Sequence, residues 1–334
     1  MKTSVKTKVQ RKQIRTSIGS TPLKIFGLCL ILIFYGCKDA KTTKDGPIEK
    51  VNAVTAANDN VVEVVTHVMD LEVVPKIPSG WTTFRYKNKS EDTHFFVLEK
   101  LPEGKTLADS KAEVIPVFKE GMDLFNVGKT EEGLAAFDNL PPWFFKVVFN
   151  GGIGLVSPKG VAETTVNMSP GTYVLECYVK MPNGEFHSAH GMVSQLEVTD
   201  ARNGNVQPKG DVDVSVSSIG GIRIKNKISA GNHVFAVHFE DQKAYENFLG
   251  HDVHLVRLNA EANLDELNAW MNWSDPNAFK TPAPTGVTFL GGIQEMPAGS
   301  TGYFKEDLSP GNYALISEVP NPRGKNMLVK FLVE

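Results

Sequence analysis

The stretch Pro170-Gly-Thr-Tyr-Val-Leu-Glu-Cys177 decides the fold that we expect for this chain. Apolar and polar side chains alternate from Thr172 to Val179, which predicts a half-buried β-strand that begins after a Pro-Gly turn. Short runs rich in Val, Phe, Tyr and Thr, separated by Gly, Pro and Asn, recur through the rest of the chain. This pattern predicts an all-β fold of the sandwich type.

The same stretch ends in a thiol, and groups that bind soft metals follow it. Cys177 is followed by His187, His190 and Met192, and His94 lies far upstream. Cys and Met are soft ligands, His is borderline, and a trigonal His/Cys site with a weak axial Met suits copper. We therefore take these five residues as candidate copper ligands.

The cysteine count leaves one thiol in the body of the chain. Of three cysteines, Cys29 lies in an apolar N-terminal segment, Cys37 ends that segment, and Cys177 stands alone. An internal disulfide in the body is therefore excluded. The lone thiol is either a metal ligand or a small buried hydrophobic side chain.

The N-terminus has the order of features found in an export signal. Residues 1–36 carry seven Lys or Arg and no acid, followed by the apolar run 25–35 and then Gly36-Cys37. The run is about half of the roughly 20 residues that a membrane span needs, so we interpret 1–36 as a signal peptide. Gly36-Cys37 resembles a bacterial lipobox, which implies lipidation of Cys37. The expected location is the cell envelope, with a lipid anchor on the periplasmic or surface side of a bacterial membrane.

Charge and length restrict the partners and the number of domains. Without residues 1–36 the chain carries 28 basic and 38 acidic residues, a net charge of −10. Phosphate backbones repel such a surface, so we exclude nucleic acid as a partner. The remaining 298 residues are enough for two domains.

An internal repeat supports two domains. We predict a flexible tether at 37–60, a first domain at 61–199 with a long helical insert at 104–149, a linker at 200–210 and a second domain at 211–334. Thr106 with Asp109, and Asn263 with Glu266, predict one helix start in each domain. The repeated segments, in the same order in both copies, are His94–Leu101 and His251–Leu258, Gly151-Gly-Ile153 and Gly291-Gly-Ile293, and Ser169-Pro-Gly-Thr-Tyr173 and Ser309-Pro-Gly-Asn-Tyr313.

The composite motif resembles the cupredoxin superfamily, which has a plastocyanin-like Greek-key β-sandwich. In that family a copper histidine follows an Asn after a short loop, as in Asn88-Lys-Ser-Glu-Asp-Thr-His94. The other ligands of that family come from a Pro-Gly-x-Tyr-x-x-x-Cys strand, as in 170–177. A His-x4-Met segment follows that strand, as in 187–192. The resemblance implies two tandem cupredoxin-like β-sandwiches, each with a helical insert, and one copper ion in the first.

The residues leave open which histidine completes the site. Asn183-Gly184 is a strong type I′ hairpin signal. A regular hairpin would place Cys177 opposite His190, whereas the family spacing to Met192 favours His187. Both histidines therefore remain candidates.

The second domain lacks the thiolate, since Ser317 stands where the first domain has Cys177. The chain also lacks the His-x-His pairs of multicopper oxidases and any other catalytic constellation, so we do not expect an enzyme. The predicted function is electron transfer or copper handling in an envelope lipoprotein, together with an envelope redox or binding partner. The alternative is a metal-free scaffold lipoprotein that contacts an envelope protein or a glycan.

Overall fold

The structure is a computed structural model that describes residues 61–334. The predicted signal peptide, the tether and the lipidation residue Cys37 lie outside these residues. The strands of the first half are β1 Val61–Thr66, β2 Glu72–Val73, β3 Lys76–Asn88, β4 His94–Lys100, β5 Val148–Val156, β6 Val161–Met168, β7 Gly171–Glu176 and β8 Val193–Arg202. Those of the second half are β9 Val212–Ser217, β10 Gly221–Ile224, β11 Gly231–Phe239, β12 Val253–Leu258, β13 Val287–Ile293, β14 Thr301–Leu308, β15 Gly311–Ile316 and β16 Leu328–Val333.

The two halves share five strand pairings. In the first half β1 pairs with β3 in parallel, and the antiparallel pairs are β3–β6, β4–β5, β4–β7 and β7–β8. In the second half β9 pairs with β11 in parallel, and the antiparallel pairs are β11–β14, β12–β13, β12–β15 and β15–β16. The prediction of an all-β fold with two sandwich halves is confirmed.

The halves are joined edge to edge through both layers. Strand β6 pairs with β14, and β5 pairs with β13, so each sheet runs from one half into the other. At the second junction the backbones come very close, because a Cβ on Gly154 would lie 2.4 Å from the carbonyl oxygen of Gly291. Only glycine fits there.

Strand β3 crosses between the two layers. Residues 76–79 pair with β8, whereas residues 80–87 pair with β6. The change of partner occurs at Gly80, which has a φ of +121° and packs against the side chain of Asn203. A side chain at this position would be strained in the left-handed region and would also clash.

The core lies between the two sheets. Phe95, Phe96, Val97 and Leu98 of β4 are all buried, as expected for a strand covered on both faces. The ring of Phe96 lies 5.9 Å from that of Phe84 on β3, in an edge-to-face contact across the layers.

One helical insert follows β4 and another follows β12. The first contains α1 Leu107–Asp109, a π-helical turn at Ser110–Val114, α2 Ile115–Asn126 and α3 Thr130–Ala136, and the second contains α4 Leu264–Trp270. Both predicted helix starts are observed, because Thr106 and Asp109 form a capping box and the Asn263 side chain accepts from two backbone amides. Among residues 61–334, none of the helices combines the length and apolar character needed to span a membrane.

Candidate metal centre

His94 is placed by a loop that a buried asparagine ties together. It is the first residue of β4 and is fully buried. In the preceding loop, the Asn88 amide donates to the carbonyl oxygens of Asp92 and Val156, at 2.8 and 2.9 Å. Sequence reasoning named Asn88 only as part of the family motif, and the structure shows that it anchors the loop.

Cys177 directly follows β7 and is also fully buried. Its backbone amide donates to the carbonyl oxygen of Met192 at 3.1 Å. Its sulfur receives hydrogen bonds from the backbone amides of Phe95 and Val179. Such donors stabilise a thiolate when it forms.

His187 begins a 3₁₀ helix, His187–His190, in the loop between β7 and β8. Its amide donates to the carbonyl oxygen of Val179 at 2.8 Å, and its own carbonyl oxygen accepts from Met192 at 3.1 Å. Gly191 ends the helix in the left-handed region, with a φ of +116°. Met192 is therefore held beside Cys177 and His187 by backbone hydrogen bonds, and it is fully buried.

The donor atoms of three of the predicted ligands converge. The Cys177 sulfur lies 3.9 Å from Nδ1 of His94 and 3.8 Å from Nδ1 of His187. The two Nδ1 atoms are 3.0 Å apart. With metal–ligand bonds of about 2.0 to 2.3 Å, atoms at these separations can surround one ion.

Burial keeps all three groups neutral. It lowers the pKa of His94 to about 4 and, with the nearby His94 ring, that of His187 to about 3. It raises the pKa of the Cys177 thiol to about 12. Within residues 61–334, neither Nε2 atom of the two histidines has a hydrogen-bond partner. Buried polar groups without partners are rare unless they have a functional role.

His190 lies outside this cluster. Its side chain is partly exposed, and its Nε2 atom contacts the carboxylate of Glu185 at 3.0 Å. The prediction of a regular hairpin, which would have placed His190 opposite Cys177, is wrong. Lys180 pairs with Phe186, the turn closes between Met181 and Glu185, and the 3₁₀ helix then replaces the second strand.

A pair of carboxyl groups beside the centre was not found from the sequence. Glu99 on β4 and Glu176 on β7 are hydrogen-bonded to each other, and Glu176 also bonds the Ser188 side chain. Burial raises the pKa of both carboxyls, and the like charge of Glu176 raises that of Glu99 further. The sequence signal is an acid near the end of each of two largely apolar strands.

The second half also holds a buried polar cluster. Asp252 accepts from His254 Nε2 at 2.6 Å, from the Ser317 hydroxyl at 2.5 Å and from the Glu318 amide at 2.9 Å. His254 Nδ1 accepts from the Leu155 amide at 2.9 Å. These partners satisfy His254, so we assign it a structural role.

The donor set of the first half fits copper. One thiol and two imidazoles, all fully buried, meet at one point. The buried Met192 is joined to Cys177 and His187 by backbone hydrogen bonds. Copper favours this combination of soft and borderline ligands. In the second half His251 and Met327 remain, but Ser317 replaces the thiol.

Comparisons with known proteins give distant likenesses. No protein-family model matches the chain, and no curated protein matches its sequence. Among solved structures, the chain is similar to reduced auracyanin from Roseiflexus castenholzii, at 24% identity over 42% of this chain and 98% of that one, with a TM-score of 0.26. It is also similar to auracyanin A, a blue copper protein from Chloroflexus aurantiacus, at 20% identity over the same shares, with a TM-score of 0.26. Copper nitrite reductase from Nitrosomonas europaea matches 82% of this chain and 93% of its own, at 12% identity and a TM-score of 0.21. At such TM-scores these likenesses assign no function to this chain.

Proposed function

We propose that this chain binds one copper ion through His94, Cys177 and His187, with Met192 as a weaker axial ligand. The role that we propose is electron transfer or copper handling, without catalysis. The convergence of three buried donor atoms within 3.0 to 3.9 Å of one another supports this proposal.

The protein environment suits a redox centre of this kind. A bound copper ion would supply a one-electron couple between Cu(I) and Cu(II). The chain holds the ligands on two strand ends and a short helix, excludes water from them by burial, and directs the amides of Phe95 and Val179 at the sulfur. These hydrogen bonds are the kind that tune a thiolate–copper site.

The test is a copper titration of the full chain. We expect one equivalent of Cu(II) to produce an intense absorption at about 600 nm from the thiolate–copper bond. The matched variant is Cys177→Ser, which places in the first half the residue that the second half carries at Ser317. It should fold and show no such band. A wild-type chain that binds no copper tightly would instead support the metal-free scaffold.

We also propose that the protein is an envelope lipoprotein anchored through Cys37, with an envelope redox or binding protein as its partner. The basic segment, the apolar run and Gly36-Cys37 support this proposal. In a bacterial host, the Cys37→Ala variant should be released from the membrane fraction. If that variant remains membrane-bound, the anchor lies elsewhere.

A further inference from the structure

A cavity of about 340 Å³ lies next to the candidate metal centre. Its lining includes Glu176 and Phe186, which directly precede Cys177 and His187 in the chain. The first helical insert, the end of β4 and loops of the second half supply the other walls. A volume of this size is typical of a pocket for a small molecule.

Aromatic rings form most of the cavity wall. Eight of the sixteen lining residues are Phe, Tyr or Trp. Phe118 connects several of them, with ring centroids 5.6 Å from Phe144, 6.5 Å from Phe186 and 6.2 Å from Trp273. The faces of such rings attract cations as well as apolar groups.

The charged groups of the wall are all acidic. Glu99, Glu176 and Glu295 line the cavity, and no Lys, Arg or His is among the sixteen lining residues. One carboxylate oxygen of Glu295 accepts from the Gly250 amide at 2.8 Å. Burial raises the pKa of Glu295 to about 7, as expected for a carboxyl group without a cation beside it.

One of the lining residues, Trp273, carries a polar atom without a partner. The indole N–H of Trp273 is buried and has no hydrogen-bond partner within residues 61–334. Trp273 is only 2% exposed. A buried donor of this kind calls for an acceptor that these residues do not supply.

We propose that this cavity binds an organic ammonium ion with an aromatic or alkyl body. The carboxyl groups would pair with the ammonium group, and the aromatic wall would enclose the apolar body. The acidic wall disfavours an anion. Glu99, Glu176 and Glu295 also do not form one of the groups among the described residues that could hold a metal ion.

The test compares three probes of similar shape on the full chain by isothermal titration calorimetry. The probes are 2-phenylethylammonium, the neutral 2-phenylethanol and the anionic phenylacetate. The wild-type chain should bind the ammonium ion at least about tenfold more tightly than the alcohol, and phenylacetate most weakly. Equal or weaker binding of the ammonium ion, or binding of none of the probes, overturns the proposal.

The double variant Glu99→Gln/Glu295→Gln identifies the charges responsible. It should lose about tenfold in affinity for the ammonium ion and keep its affinity for the alcohol. The matched control is Glu103→Gln, an exposed site outside the cavity, which should change neither affinity. If the double variant folds and binds the ammonium ion as tightly as the wild type, the proposal is overturned. If the double variant does not fold, the preference of the wild-type chain for the ammonium ion over the alcohol decides. Because none of these variants alters a proposed copper ligand, this test and the copper titration can fail independently.

Discussion

The loop that carries His187 in the first half has a close counterpart in the second half. The Cys177 amide donates to Met192 and the Met192 amide donates to His187, at 3.1 Å each. At the equivalent places the Ser317 amide donates to Met327 at 3.0 Å, and the Met327 amide donates to Pro322 at 2.7 Å. A short 3₁₀ helix and a left-handed residue complete both loops, with Gly191 in one and Asn326 in the other. The backbone hydrogen bonds at the end of the loop are shared, so the halves differ there in their side chains, and the first loop also contains the turn between Lys180 and Phe186.

The side chains at these matching positions have different partners. In the first half the histidine and thiol donors face one another, and the histidine Nε2 atoms lack partners within the described residues. In the second half His251 Nε2 contacts the Asp241 carboxylate at 2.9 Å, and the Ser317 hydroxyl donates to Asp252. Buried donor atoms that converge on one point fit a site for a ligand, whereas the hydrogen-bonded groups around Asp252 stabilise the fold. The comparison therefore supports the proposed binding site in the first half and a stabilising role for the cluster in the second.

The largest effect should come from removing the centre of the second-half network. Asp252→Ala leaves His254, Ser317 and the Glu318 amide without their buried acceptor, so we expect a loss of about 3 to 5 kcal/mol in the free energy of unfolding. Urea denaturation measures it, with the exposed Asp200→Ala as the control. A loss below about 1 kcal/mol would contradict a stabilising role for this network.

The next effect distinguishes the two histidines of the first-half loop. His187→Ala removes a proposed ligand and should weaken copper binding by about a hundredfold or more, since even indirect partners of metal ligands contribute 10- to 100-fold. His190→Ala removes only a contact with Glu185 and should leave the affinity within about twofold. Competition with a copper chelator measures both. Equal losses in the two variants would show that the loop rearranges when copper binds.

A third variant asks whether a thiol alone can convert the second half into a metal site. Ser317→Cys should leave the copper stoichiometry at one, because Pro322 offers no donor where the first half has His187. It should also lower the free energy of unfolding by about 1 to 3 kcal/mol, since Asp252 loses a buried hydrogen bond. A second equivalent of tightly bound copper would mean that the thiol is sufficient.

The smallest effect concerns a half-buried acid that only the second half carries. Glu306 on β14 pairs with His233 on β11. At the equivalent position of the first half, the buried Val166 on β6 pairs with Thr82 on β3. Burial, with a contribution from Asp307, raises the pKa of Glu306 to about 7. The folded state therefore holds this proton more tightly than the unfolded state, and stability falls as the pH rises from about 4.5 to about 7.

Glu306→Gln, which does not titrate, removes this dependence. The variant should match the wild type near pH 4.5 and melt about 2 °C higher or more at pH 8. Thermal unfolding at both pH values measures the difference. A variant that is less stable than the wild type at pH 8 would show that the carboxylate has a stabilising partner.

Local patterns made a large part of the fold predictable. The repeated Pro-Gly-x-Tyr segments and the runs of Val, Phe, Tyr and Thr indicated two all-β halves. The half-buried alternation predicted for 172–179 is wrong, because β7 ends at Glu176 and Tyr173, Val174 and Leu175 are all buried between neighbouring elements. Thr106 and Asn263 marked helix starts, because capping is a contact between near neighbours. His94 and Cys177 were proposed together from their ligand chemistry and from the family resemblance, because no local period relates residues that lie 83 positions apart.

The sequence by itself determined the residue types that are available: one thiol in the body, the histidines and methionine around it, and the strand pattern that carries them. Only the tertiary structure decided which of them meet. A 3₁₀ helix stabilised by contacts to Val179 and Met192 turned His187 inward and left His190 at Glu185. Likewise, the Glu99–Glu176 pair and the sheets shared by both halves depend on pairings between distant strands. These outcomes depend on packing and hydrogen bonds between segments far apart in the chain, which no local period of residues can reveal.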